Sequence, residues 1–198
     1  MPKLYFFYAT MNSGKTLQAQ QVAYDHRNKG LKALVLKSEN DPKGGKNITS
    51  RIGLETECDF LISPDEDLYK HILQYENIGI IIVDEAQFLS RKNVEDLVKI
   101  VVYAKISVMC YGLRNDFCGK LFEGSLALFE SAQKIEEIQT RTLCEINPSS
   151  GELATMNIRL VNREAIFSGD QIVIDGTENV EYAAVSLETF IKIRDGNF

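Results

Sequence analysis

Leu4-Tyr5-Phe6-Phe7-Tyr8 is an apolar, aromatic run that breaks into Ala9-Thr10-Met11-Asn12-Ser13-Gly14-Lys15-Thr16, and a helix-compatible stretch then continues to Lys29 and stops at Gly30. Strand, glycine-lysine loop and helix in that order form the context that the phosphate-binding pattern G-x-x-x-x-G-K-[ST] requires. The loop fits at every fixed position except the first, where Ala9 replaces glycine. If that position needed a positive φ, alanine would cost roughly 1–2 kcal/mol, which a packed domain can absorb. Losing Lys15 would instead remove the charge that faces the phosphates, so the assignment stands on Lys15 and Thr16.

The rest of the chain extends the same alternation. Leu31 to Lys37 reads as a second strand, and Ser38 to Ser50 reads as a long polar loop. Ile78-Gly79-Ile80-Ile81-Ile82-Val83 suits a strand buried on both faces and ends in Asp84-Glu85. Ser90 caps a predicted helix through about Ala104, with Val94, Leu97, Val98 and Val101 on one face, and Ile106 to Tyr111 supplies another buried strand. Strand and helix in turn imply an α/β fold of the P-loop NTPase type, with a mostly parallel sheet flanked by helices. Near Leu143 the character changes: Asn147-Pro148-Ser149-Ser150-Gly151 is a turn cluster, followed by short strands and a final helix from Val185 to Ile193. The expected division is an ATP-binding domain at 1–142 and a small C-terminal domain at 143–198.

Composition limits what such a chain does. With 198 residues, 44% hydrophobic and 25% charged, it can bury one main core and a small appendage. A net charge of −6 argues against a broad electrostatic footprint for nucleic acid or anionic membrane. No run approaches the ~20 apolar residues of a membrane span, and Met1-Pro2-Lys3-Leu4 shows no signal-peptide pattern, so the expected location is the cytoplasm. Cys58, Cys110, Cys118 and Cys144 form no CxxC pair and read as reduced thiols.

The chemistry is expected where the loop and the acids meet. Backbone N–H groups at a helix N-terminus favour anions, Lys15 adds a point charge, and Thr16 with Asp84 would hold Mg²⁺. The ATP-binding set is therefore Ala9, Thr10, Met11, Asn12, Ser13, Gly14, Lys15, Thr16, Asp84 and Gln87. Glu85, facing away from Asp84 if the strand stays extended, is positioned to take a proton from an attacking hydroxyl or water. Asp84-Glu85-Ala86-Gln87 also suits a nucleic-acid-stimulated ATPase, and Ala9 leaves open a nucleotide-binding homologue without activity. Phe88, Phe117 and Phe122 sit in polar, glycine-containing stretches, where an aromatic either stacks a base, worth roughly 1–3 kcal/mol, or fills the core.

Taken together, Met11 to Thr16, Ser50-Arg51-Ile52-Gly53-Leu54, Asp84-Glu85-Ala86-Gln87-Phe88-Leu89 and Tyr111-Gly112-Leu113-Arg114-Asn115-Asp116-Phe117 resemble the type II thymidine kinases, especially bacterial ones. The resemblance implies ATP and Mg²⁺ as cofactors, thymidine or a related deoxynucleoside as acceptor, and a homotetramer. It implies Glu85 as catalytic base for the 5′-hydroxyl, Arg51 near the phosphates, and Met11, Phe88, Phe117 and Phe122 around the nucleoside. It also implies a small lid whose Asn157, Gln171, Ile172, Val173, Ile174, Asp175 and Tyr182 contact the substrate. The match is looser there: Asp175 stands where the family usually has glycine, and the stretch to Tyr182 is longer than usual. The family's lid usually has a zinc-ribbon site, but only Cys144 remains here, with Asn147, Ser186 and Thr189 at the other positions, so no structural zinc is expected.

Overall fold

The fold is a computed structural model in which residues 1–138, 142–172 and 179–197 are described. In chain order it runs β1 (Leu4–Tyr8), α1 (Lys15–Asn28), β2 (Lys32–Ser38), β3 (Asn47–Thr49), β4 (Glu55–Glu57), β5 (Phe60–Ile62), α2 (Leu68–Ile72), β6 (Ile78–Asp84), a 3₁₀ turn Ala86–Phe88 and α3 (Arg91–Lys99), which ends in a π turn. There follow β7 (Ser107–Gly112), α4 (Glu123–Ser131), β8 (Lys134–Glu137), β9 (Met156–Val161), β10 (Glu164–Ile166), β11 (Val180–Val185) and α5 (Leu187–Arg194).

Six strands form one sheet in the order β5-β2-β6-β7-β1-β8, and every pairing in it is parallel. This is the expected α/β architecture. Alternation along β2 shows how both faces are covered. Leu34 and Leu36 join Val94, Leu97 and Leu128 of α3 and α4, whereas Ala33 and Val35 join Ala19 and Ala23 of α1. β8 is the outer strand beside β1, with Lys134 and Glu136 paired on its surface.

Ser90 caps α3 as expected, accepting from Asn93 N–H while the Asn93 side chain accepts from Ser90 N–H. The stretch read as one long loop is shorter and more ordered than its composition suggests. β2 extends to Ser38, and β3 pairs antiparallel with β4, with Ile48 buried between polar neighbours. A single inward isoleucine sets the register of a hairpin that otherwise reads as loop.

The C-terminal strands form a separate antiparallel sheet, β10-β9-β11, with α5 packed on one face. Ser186 caps α5 by accepting from Thr189 N–H at 3.1 Å. Met156, Ile158, Val185 and Phe190 fill this face, and the opposite face of β9 presents Asn157 and Arg159, both buried.

Candidate active site

β1 delivers the phosphate loop to the carboxyl edge of the sheet. Ala9 is buried and absent from the residues with positive φ, and its N–H donates to Gly112 O at 3.3 Å. The departure from glycine therefore carries no backbone strain. Left-handed geometry falls instead on Asn12 (φ 63°) and Gly14 (φ 79°), the latter at the start of α1. Gly14 caps α1 without a side chain, which leaves the first-turn N–H groups without a side-chain acceptor and available to an anion. Lys15 Nζ donates to Thr10 O at 2.6 Å. Burial pulls its pKa down to about 8, against the opposing pull of Glu85 and Asp84.

Asp84 closes β6 and accepts from the Thr16 hydroxyl at 2.8 Å through Oδ2. Its Oδ1 is buried without a hydrogen-bond partner among the described residues. Burial and the adjacent Glu85 push the Asp84 carboxyl up to about 7. A hydroxyl and a carboxylate meeting from two elements, with one carboxylate oxygen unsatisfied, suit a hard cation such as Mg²⁺.

Glu85 corrects the expectation of an extended strand end. It lies in the left-handed region (φ 49°, ψ 39°) because the 3₁₀ turn begins immediately after it, so strand alternation does not set its direction. A non-glycine residue there costs roughly 1–2 kcal/mol. Lys43 Nζ donates to Glu85 Oε1 at 2.8 Å and Gln87 Nε2 to Oε2 at 2.7 Å. Burial pushes the Glu85 carboxyl up, but Lys43, Lys15 and those two hydrogen bonds outweigh it and hold the pKa below its ordinary value.

One cavity of about 420 Å³ brings most of the expected site together. Its walls include Met11 to Thr16, Arg51, Glu85, Gln87, Phe88, Phe117, Phe122, Asn157, Gln171, Ile172 and Tyr182. Ala9 and Thr10, at the start of the loop, are absent from its walls and line a separate small cavity, and Asp84 lines an adjoining cavity of about 320 Å³ together with Thr16. Val173, Ile174 and Asp175 fall outside the described residues. Arg51 is exposed, on the turn between β3 and β4. Gln87 is buried and uses its amide to bridge Glu85 and Leu113 N–H, so it holds the wall as well as lining it.

The aromatic side chains divide. Phe88 and Phe122 meet edge to face at 5.8 Å, with Phe88 partly exposed. Phe117 is buried, and the Arg159 guanidinium lies 3.7 Å from its ring centre. Arg159 also donates to Tyr182 OH at 2.8 Å, to Asp170 O at 2.7 Å and to Gln171 O at 3.2 Å. The phosphate loop is tied to the C-terminal sheet by Met11 N–H to Asn157 Oδ1 at 2.9 Å and by Asn12 Nδ2 to Glu145 Oε1 at 2.6 Å.

Sequence reasoning missed Lys43, Arg159 and Asp116, which lines the same cavity and accepts from Gln171 Nε2 at 2.8 Å. A signal existed for the first: Lys37 directly follows the apolar run Ala33 to Leu36 within β2, and a buried lysine requires a partner. It is Asp41, at 2.9 Å in the loop that carries Lys43, with both side chains buried. In the C-terminal region Cys144 Sγ donates to Thr189 Oγ1 at 3.4 Å, and Ser186 Oγ lies 3.1 Å from the same oxygen. Burial pushes the Cys144 thiol up, but the Thr189 hydroxyl and the N–H groups of Ser186, Asn147 and Ile146 together lower it. Among the described residues no group of three or more His, Cys, Asp or Glu side chains could hold a metal ion.

Comparison with known proteins gives the site a context. The family model described as thymidine kinase matches residues 2–187. A thymidine kinase of Streptococcus pyogenes is 41% identical over 180 residues, spanning 90% of this chain and 92% of that protein. A thymidine kinase of Xanthomonas axonopodis pv. citri is 40% identical over 202 residues, spanning 99% of this chain and 92% of its own.

Proposed function

Since the chain belongs to the thymidine kinase family, we propose that it transfers the γ-phosphoryl group of ATP to the 5′-hydroxyl of thymidine, with Glu85 as general base. The observation that carries the reading is the single cavity shared by the phosphate loop, Glu85 and the aromatic pair Phe88 and Phe122. Donor phosphates and an acceptor base can occupy its two ends at once.

The acceptor oxygen forms a bond to the γ-phosphorus as the bond from that phosphorus to the β,γ-bridging oxygen breaks, and the electron pair stays on ADP. The hydroxyl proton passes to the Glu85 carboxylate. Lys15 and Arg51 neutralise charge on the transferring group. Thr16 and Asp84 would hold Mg²⁺, which supplies further charge neutralisation on the phosphates when bound. Asn157, Gln171, Ile172 and Tyr182 line the acceptor end, so the C-terminal sheet and its loop act as a lid over the nucleoside. A pocket that merely tolerates the thymine methyl discriminates by only ~1–3 kcal/mol, so deoxyuridine is a second acceptor.

No described helix is long and apolar enough to cross a membrane. Nucleotide salvage in the cytoplasm and assembly as a homotetramer complete the proposal, the latter checked by light scattering. The deciding experiment is ATP-dependent phosphorylation of the four deoxynucleosides, wild type beside Glu85→Gln, with products identified by mass. Thymidine monophosphate from the wild type and a loss of at least ~100-fold in the variant are expected. ATP binding without phosphorylation of any nucleoside overturns the reading.

A further inference from the structure

We infer that Glu145, in the C-terminal region, is a positioning residue for the ATP end of the cavity: it holds Asn12 of the phosphate loop in its left-handed conformation, so the donor site is complete only when the two regions are joined. The inference rests on the kinase reading above for the identity of the bound nucleotide. It gives the C-terminal region a part at the donor end as well as over the acceptor.

Asn12 is where the loop turns, with φ 63°, and asparagine is one of the few residues besides glycine that adopt this conformation readily. The C-terminal region holds it at two points. Its side-chain Nδ2 donates to Glu145 Oε1 at 2.6 Å, and its carbonyl accepts from the Thr142 hydroxyl at 3.2 Å. The residue before it, Met11, donates its N–H to Asn157 Oδ1 at 2.9 Å. Two successive residues of the phosphate loop are thus fastened by Thr142, Glu145 and Asn157, all more than a hundred residues away in sequence.

A tie positions a loop only if its far end is itself fixed. Glu145 is exposed, but its mount is not: Cys144 beside it is buried, its N–H donating to Glu152 O at 2.9 Å and its Sγ to Thr189 Oγ1 at 3.4 Å. Glu145 N–H donates to Ala184 O at 2.9 Å, and Oε2 accepts from Ala184 N–H at 2.9 Å, which closes a ring on β11. Oε1 is then aimed at Asn12 in a charge-assisted bond. Glutamate suits the place because both of its partners are donors, whereas glutamine has a single acceptor oxygen and would leave one of them unmatched. Met11, Asn12 and Asn157 line the cavity of about 420 Å³ and Glu145 is absent from its walls, so its effect on a bound nucleotide passes through Asn12. Freeing Asn12 loosens the backbone N–H groups that face the phosphates while Lys15 and Glu85 stay in place. Such a loss weakens ground state and transition state alike, and it raises KM for ATP while sparing kcat.

The test compares Glu145→Ala, Glu145→Gln, Asn12→Gly and the Glu145→Ala/Asn12→Gly double variant in the full chain. It reads the Kd for ATP with Mg²⁺ by titration calorimetry without acceptor, then kcat, both KM values and Tm. Asn12→Gly removes the amide while keeping a positive φ accessible. Glu145→Ala should weaken ATP about tenfold in Kd and in KM, the factor that ~1.4 kcal/mol of lost binding gives. Its kcat and its KM for thymidine should stay within about twofold and its Tm within about 3 °C. Glu145→Gln should fall between the wild type and Glu145→Ala. The double variant should lose no more than the worse single variant, because residues that act as a unit are not additive. Unchanged ATP affinity in Glu145→Ala overturns the inference. Additive losses in the double variant also overturn it, since Glu145 then acts by another route, and so does an equal rise in both KM values with a large fall in Tm, since the role is then only structural. A wild type that binds ATP and phosphorylates no deoxynucleoside overturns the kinase reading alone, because Kd still reports on Glu145 and Asn12. A wild type that binds no ATP overturns both.

Discussion

The parallel sheet and the C-terminal sheet share one cavity, yet different forces hold them. The parallel sheet is sealed on both faces by apolar clusters, of nineteen and ten buried residues among those described, and its polar groups appear at its carboxyl edge. The C-terminal sheet has a cluster of six and turns a polar face, Asn157 and Arg159, toward the site. At ~1.5–3 kcal/mol per buried large side chain, the first region is fixed by burial. The second has that smaller apolar cluster on one face and relies on one guanidinium and a hydroxyl-thiol cluster besides. A rigid phosphate-loop side and a more readily opened C-terminal side of the cavity follow from that difference, because local opening is easiest where apolar contacts are fewest.

The largest test of this contrast is Arg159→Met. Removing a buried cation that serves two carbonyls and a tyrosine hydroxyl should cost about 1–3 kcal/mol locally, since it leaves those groups without a donor or partner. It should raise KM for thymidine at least ~10-fold while KM for ATP stays within about twofold, since ~1.4 kcal/mol of lost binding already gives tenfold. Equal loss at both substrates would show that the regions do not behave separately.

Gly124→Ala probes the other side. A β-carbon on Gly124 would stand 2.5 Å from Ala86 O, 2.8 Å from Leu89 O and 2.9 Å from Gln87 O, all backbone. Overpacking of this kind costs about 1–3 kcal/mol, read as a fall in Tm of roughly 2–12 °C. The shift should be global, and protection confined to the C-terminal sheet would break the comparison. Ser186→Ala is the smallest change. Loss of the α5 cap should cost about 1 kcal/mol, seen as faster amide exchange in α5 and β11 with β1 and β6 unaffected.

Much of the first region was legible, and of the second the turn at Asn147 to Gly151, the short strands and the final helix were legible while its polar face was not. β1, β6 and β7 announce themselves through continuous apolar runs, and Ser90 marks the start of α3. β3 and β4 were not legible, because Glu55-Thr56-Glu57 carries no apolar alternation and only Ile48 points inward. The direction of Glu85 was not legible either, since a single left-handed residue leaves no trace in composition. Arg159 shows the general difficulty. Strand alternation assigns a charged position to solvent, and only the fold reveals that the polar face of β9 is covered by Phe117 and the cavity. Asn157 and Tyr182 reach the cavity wall, but resemblance rather than physics had pointed to them.

The outer strand β8 has a consequence for how copies of the chain come together. Its exposed rim carries Lys134, Glu136 and Glu137 around a single isoleucine, Ile135. Closely spaced charges on a short terminal strand discourage sheet-to-sheet annealing between molecules. Refolding at high concentration should therefore tolerate this rim, and neutralising Glu136 and Glu137 should make the chain prone to fibrous precipitation.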